Sequence, residues 1–177
     1  SDKVDLGNGL PKYTFGFNFS LAWKGFDLSA NFTGAAGFQI AQSYRDPSSS
    51  QANYSRRILK RWTGEGTSNE IPRVTYGDVG NWLFSDLYLQ DGDYIRLQNL
   101  TMGYDFKKLI SWKGLSKMRL YFQVQNLFTL TKYDGMDPEI GSFNGTDGNS
   151  SDSWVSGVDM GYYPHPRTFI VGLNLAF

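Results

Sequence analysis

From Tyr13 to Trp23 every odd-numbered residue is large and apolar: Tyr13, Phe15, Phe17, Phe19, Leu21 and Trp23. The residues between them, Thr14, Gly16, Asn18, Ser20 and Ala22, are polar or small. A helix would spread such a stripe around its whole circumference. A strand sends successive side chains to opposite faces, so this segment reads as a strand with two chemically different sides. After Lys24-Gly25 the alternation resumes on the other parity, with Phe26, Leu28, Ala30, Phe32, Ala36, Phe38 and Ile40 set against Asp27, Ser29, Asn31, Thr33 and Gln39. A two-residue hairpin turn requires that switch, because it places Trp23 opposite Phe26 and brings both stripes to one face.

The same period marks three further segments. Leu100, Met102, Tyr104 and Phe106 alternate with Thr101, Gly103 and Asp105. Upstream, Ile95 and Leu97 have the opposite parity, which predicts a bulge near Gln98-Asn99 or a segment in a different environment. Met118–Thr131 and Thr168–Phe177 alternate likewise. The predicted strands span about 13–23, 26–40, 93–106, 118–131 and 167–177. Composition agrees: aromatics are 16% and glycines number 20, against only 40% hydrophobic residues and a mean hydropathy of −0.41. Rings, Thr, Ser, Asn and Gly favour strands and turns over helices. The fold class is all-β.

Other classes are excluded more simply. Seventeen basic and seventeen acidic residues give a net charge of +0, without the basic footprint of a nucleic-acid binder. The absence of Cys removes disulfides, Cys-ligated zinc and thiol nucleophiles. Asp2, Lys3 and Asp5 interrupt any apolar leader at Ser1, and no apolar run approaches the roughly 18 residues of a membrane helix.

The connections are lopsided. Lys24-Gly25 and Lys107–Lys117 are short, whereas the segments 41–92 and 132–166 far exceed the usual median of about 4–6 residues. Antiparallel strands put successive connections at opposite ends, so the long ones share one end. Tyr13–Trp23, Leu120–Thr131 and Thr168–Phe177 contain no charge, and each is close to the roughly 9–11 residues of a tilted bilayer-crossing strand. Rings at Tyr13, Trp23, Phe26, Tyr104, Phe106 and Phe177 sit near strand ends, as interfacial girdles do. Together these features predict a segment of an antiparallel transmembrane β-barrel. Phe15, Phe17, Phe19, Leu21, Phe26, Phe32, Leu120, Phe122, Phe169, Leu173 and Phe177 would face lipid. Asn18, Asp27, Asn31, Gln39, Arg119, Tyr121, Gln123 and Gln125 would face a wet lumen or a plug within it. Five strands cannot close a barrel, since bacterial single-chain barrels use an even number from about eight upward, so the remaining strands must come from further polypeptide. The alternative is a soluble carbohydrate-binding β-sandwich with an aromatic core and loop tryptophans as its sugar platform.

Little points to catalysis. The lone His165 lies in Pro164-His165-Pro166, a rigid entry to the last strand, and nothing marks one Ser as its partner. Asp91/Asp93 and Asp137/Glu139 read as solvated turn residues rather than acid–base pairs. Asp147, Asn149, Ser151 and Asp152 lack the spacing of a calcium loop, so no metal or cofactor is expected. Trp62, Tyr76, Trp82, Tyr88 and Trp154 lie in the long connections, where bilayer contact cannot account for them; such rings stack on sugars or pack against a partner protein. The run from Arg56 to Trp62 reads as a short basic helix. Four Asn-X-Ser/Thr tripeptides match the glycosylation sequon, but two of them lie inside predicted strands and the match alone carries little meaning.

Five blocks occur in order: GNGLPKYTFGFNFSLAWKGFDLSANFTGAAG (Gly7–Gly37), RWTGEGTSNEIPR (Arg61–Arg73), DGDYIRLQNLTMGY (Asp91–Tyr104), QNLFTLTKYDGMDPEI (Gln125–Ile140) and YYPHPRTFIVGLNLAF (Tyr162–Phe177). Together they resemble the C-terminal end of a SusC/RagA-type TonB-dependent outer-membrane transporter of Bacteroidetes, over nearly the whole chain. The resemblance implies a plugged barrel of about 22 strands, of which residues 1–177 supply the last five. It implies import of oligosaccharides or peptides, a SusD-like surface lipoprotein as lid, and TonB acting through an N-terminal part outside these residues. The terminal Phe177 resembles the signal read by the barrel-assembly machinery, with Leu175 a departure from the usual aromatic. The segments 41–92 and 132–166 would then be extracellular, the short turns periplasmic, and the basic run a partner for acidic groups on the lid.

Overall fold

The computed structural model describes residues 4–43, 56–74, 85–110, 112–140 and 157–177. Its strands are β1 (Tyr13–Trp23), β2 (Phe26–Ala36), β3 (Gln39–Gln42), β4 (Leu89–Asp91), β5 (Tyr94–Asp105), β6 (Lys117–Thr131), β7 (Val158–Asp159) and β8 (Thr168–Ala176). Five of them form one antiparallel sheet in the order β1-β2-β5-β6-β8; β4-β3-β7 form a second, in which β3 runs parallel to β7. Among the described residues there is no α-helix, only short 3-10 turns.

The first hairpin is closed by Lys24 (φ 48°) and Gly25 (φ 95°), both in the left-handed region that a type I′ turn demands. Pairing then runs unbroken from Trp23↔Phe26 to Tyr13↔Ala36. The strand expected over 26–40 ends early. Gly37 (φ 78°) turns the chain out of β2, and its N–H donates to Asp93 Oδ1 at 2.6 Å. Phe38 and Ile40 share the parity of the β2 stripe, yet both are buried, Phe38 just ahead of the second sheet and Ile40 within it.

Between β2 and β5 the register shifts, with Asn31↔Asn99 followed by Phe32↔Leu97, so Gln98 is the extra residue of a bulge. That bulge reconciles the two parities: Ile95 and Leu97 join the face of Leu100, Met102 and Tyr104. Opposite it, β6 carries Asn126 at φ 51°, a conformation Asn tolerates better than most residues, and its amide donates to the Pro166 carbonyl.

The buried apolar cluster lies at the end with the long connections. Ala35, Phe38, Ile40 and Tyr133 form a small cluster, flanked by Tyr94 and Ile140. Ala35 and Tyr94 are register partners on the polar side of the large sheet, so this cluster rests on that side. Among the described residues no second layer covers the ring-bearing side, whose side chains are mostly exposed. The basic run appears as a 3-10 turn, Arg56–Lys60. Beyond it, Trp62 N–H donates to Ile71 O, and Thr67 Oγ1 accepts from the N–H groups of Thr63 and Gly64, closing a self-bonded loop.

Candidate functional site: the two faces of the sheet

Register aligns the polar side into cross-strand rows. Asn18↔Asn31↔Asn99↔Gln125↔Thr168 is one row, and Ser20↔Ser29↔Thr101↔Gln123↔Ile170 the next. Asn31 Nδ2 donates to Asn18 Oδ1, and Gln123 Nε2 lies 3.5 Å from Asn99 Oδ1. The third row, Ala22↔Asp27↔Gly103↔Tyr121↔Gly172, supplies Asp27 to an ion pair with Arg119 of the neighbouring row Asp105↔Arg119↔Asn174. Arg119 Nε and Nη2 donate to the two Asp27 oxygens at 2.8 and 2.5 Å, a two-pronged pair spanning β5. The bridge passes over Gly103, where a Cβ would meet Arg119 Nε at 2.6 Å and Asp27 Oδ1 at 2.7 Å. The Arg119 guanidinium also lies 5.0 Å from the Tyr121 ring centroid, and that ring covers Gly172. Seven of the eight residues expected on the polar side therefore share it. Gln39 does not: it belongs to β3 in the second sheet, where its amide packs on Gly7.

Toward the long-connection end the same side carries a denser polar knot. Arg96, 2% exposed, donates from Nε to Thr129 Oγ1, from Nη1 to Glu139 Oε2 at 2.9 Å, and from Nη2 to Asp137 Oδ1. Asp137 also accepts from the N–H groups of Glu139 and His165. The acidic pair Asp137/Glu139, expected to be solvated, is thus an anchor that joins two stretches of loop to β5; its Asp137 member is buried. A second buried carboxylate, Asp159 at 1% exposure, accepts from Tyr133 Oη and from the N–H groups of Gly161 and Tyr162. Reading the sequence alone missed Arg96, Tyr133 and Asp159, for which no local spacing gives a signal. Asp91 and Asp93 do behave as turn residues: Asp91 Oδ1 accepts from Asp93 N–H.

The opposite side is continuous and apolar. Phe17↔Phe32↔Leu97↔Phe128 and Leu21↔Leu28↔Met102↔Phe122↔Val171 are two of its rows. Of the eleven residues expected there, Phe15, Phe17, Phe19, Leu21, Phe26, Leu120, Phe122, Phe169, Leu173 and Phe177 are exposed and Phe32 is half-buried. Neighbouring rings touch across strands, with Phe122 stacked on Phe169 at 6.2 Å and Phe17 tilted against Phe32 at 6.3 Å.

Of the loop rings, Trp62 is partly exposed beside a shallow cleft of about 300 Å³ bordered by Asn69, Glu70 and Arg73. Tyr88 is half-buried at the end of the 3-10 turn Asp86–Tyr88. Tyr76, Trp82 and Trp154 lie outside the described residues, as do Asp147, Asn149, Ser151 and Asp152. Among the described residues no three His, Asp or Glu side chains gather as a metal site.

No protein-family model matches the chain. It is 35% identical over 179 residues to TonB-dependent receptor P3 of Formosa agariphila, matching 100% of this chain and 17% of that protein. It is 30% identical over 166 residues to TonB-dependent receptor SusC of Bacteroides thetaiotaomicron, matching 92% of this chain and 15% of SusC. Among solved structures, the RagAB peptide importer in its open-open state superposes on 95% of this chain with a TM-score of 0.70 and 25% identity, over 17% of the importer chain. The RagAB peptide transporter gives a TM-score of 0.74 at 24% identity, over 98% of this chain and 18% of its own. The chain thus spans less than a fifth of the relatives it matches. An all-β sheet with one polar and one largely exposed ring-bearing side is thus similar, along its whole length, to one segment of the SusC/RagA-type TonB-dependent receptors.

Proposed function

We propose that this segment is the C-terminal part of the barrel wall of an active outer-membrane importer. It contributes five of about 22 strands in a Gram-negative outer membrane, with upstream polypeptide pairing to its open edges. The ring-bearing side meets hydrocarbon, and the rows of Asn, Gln, Ser and Thr line the lumen or touch the plug. The tight turns face the periplasm. The long connections, tied down by Arg96 and Asp159, lie outside the cell beneath a SusD-like lipoprotein. TonB acts through the part of the protein outside these residues, and the cargo is an oligosaccharide or a peptide.

The observation that supports this reading best is the continuous and largely exposed apolar side of five phased strands. A soluble sandwich needs a second layer over those rings, and the small sheet β4-β3-β7 rests instead against the opposite side. The test uses the complete receptor chain expressed with its lipoprotein. Recovery only with detergent, a gel mobility that changes on heating, and energy-dependent uptake of labelled glycans or peptides are the expected results. A soluble monomer from these residues alone, produced without detergent, would reject the barrel. Parallel uptake assays with glycan and peptide pools decide the cargo class.

A further inference from the structure

The loop that carries Trp62 is closed by its own hydrogen bonds. Arg61 N–H donates to Ile58 O, Trp62 N–H to Ile71 O at 2.9 Å, and Thr67 N–H to Gly64 O. Thr67 Oγ1 accepts from the N–H groups of Thr63 and Gly64, and Ser68 Oγ from those of Glu70 and Ile71. Pro72 fixes its own φ and stiffens the return past Trp62. A loop held in one shape before a ligand arrives avoids much of the ordering cost of binding.

Trp62 is 37% exposed and borders the cleft of about 300 Å³ together with Asn69, Glu70, Ile71, Pro72 and Arg73. Asn69, Glu70 and Arg73 are exposed, and among the described residues nothing pairs with the Asn69 amide or the Glu70 carboxylate. The volume stands at the lower end of small-ligand sites. Glu70 and Arg73 cancel in charge, so the cleft suits a neutral guest. An indole face carries partial negative charge and attracts the C–H side of a sugar ring, while an amide and a carboxylate take hydroxyl groups. A peptide in extended form would instead need open backbone groups along an edge. Here the N–H groups of Trp62, Thr63, Gly64, Thr67, Glu70 and Ile71 are already bonded within the loop.

We propose that this cleft is a saccharide subsite that takes one or two neutral sugar residues, with Trp62 as the apolar platform and Asn69 and Glu70 as the hydroxyl-binding groups. It commits the cargo to the saccharide class, and it rests on the importer reading above for the position of the loop outside the cell.

The test uses the complete receptor without its lipoprotein, in an amine-oxide detergent whose headgroup carries no sugar. It is titrated with short neutral oligosaccharides from glucans, mannans, xylans and galactans, and in parallel with a pool of short peptides. Wild type should bind at least one of the saccharide sets. Trp62→Ala should weaken that binding about tenfold, the scale of one lost aromatic platform. Trp62→Phe should keep most of it, and Glu70→Gln should weaken it several-fold while amide exchange across 62–71 stays as in wild type, which separates recognition from folding. No saccharide binding by wild type, or equal binding by wild type and Trp62→Ala, overturns the subsite. Binding of the peptide pool that depends on Trp62, in place of the saccharides, overturns the ligand class. Sugar binding that depends on Trp62 in a receptor that shows no energy-dependent uptake overturns the importer reading and leaves the subsite standing.

Discussion

Arg119 reaches from β6 across β5 to grip Asp27 on β2, and Gly103 lies directly beneath the bridge. Any side chain at 103 would occupy the space that the guanidinium and carboxylate now share. Gly103→Ala should therefore displace the pair and destabilise the wall by about 1–3 kcal/mol, the usual cost of overpacking. In a double-mutant cycle, Asp27→Asn and Arg119→Gln should couple by about 1 kcal/mol, because the pair is partly solvent-exposed. The temperature at which the heat-dependent gel shift occurs in the complete receptor measures both. Additive effects of Asp27→Asn and Arg119→Gln would mean that the bridge contributes nothing.

Arg96 is the more consequential cation, since its Asp137 partner is buried with it. Arg96→Ala leaves that carboxylate without its countercharge, a loss of about 3–5 kcal/mol for an intact buried pair. The loss should be local. Amide exchange should rise across 132–140 and 157–167 while β1 and β2 stay protected. Asp137→Asn, which keeps an acceptor for the Glu139 and His165 N–H groups, should do less damage. Equal protection in wild type and Arg96→Ala would show that the loops are held by other contacts.

Tyr133→Phe removes the hydroxyl donor from Asp159 but keeps the ring in the cluster with Phe38 and Ile40. A buried carboxylate that loses one donor should cost about 1–3 kcal/mol. Faster proteolysis near β7 than in wild type is the expected readout. An unchanged cleavage rate would mean that the two backbone donors suffice for Asp159.

Because the chain contains no cysteine, single substitutions report on each side of the sheet without background from these residues. In membranes, Asn18→Cys and Gln123→Cys should react with a water-borne maleimide at least tenfold faster than Phe17→Cys and Phe122→Cys. In detergent-free unfolded protein all four should react alike. Similar rates in membranes would mean that both sides meet water.

Much of this architecture was readable in advance, and for a local reason. Strand alternation is a relation between residues two apart, so the stripes of β1, β5, β6 and β8 stand in the chain itself, as does the parity switch at Lys24-Gly25. Even the bulge at Gln98 showed as a change of parity. The stripe of β2 misled only beyond Ala36, where Phe38 and Ile40 kept the period while Gly37 turned the chain away. Gln39 went with Ile40 into the second sheet.

What the alternation could not reveal was where charges would be hidden. Arg96 and Asp137 are 41 positions apart, and Tyr133 and Asp159 are 26 apart. An Asp beside Pro138 looks like a turn residue until a distant arginine is packed against it, since burial of a carboxylate depends on which partner the fold delivers. The two-sided character of the wall thus follows from nearest-neighbour chemistry along each strand. The anchoring of the loops, the closeness of Asp27 to Arg119 over Gly103 and the small second sheet arise only when separate strands come into register, because the interactions that form them act through space between residues far apart in the chain.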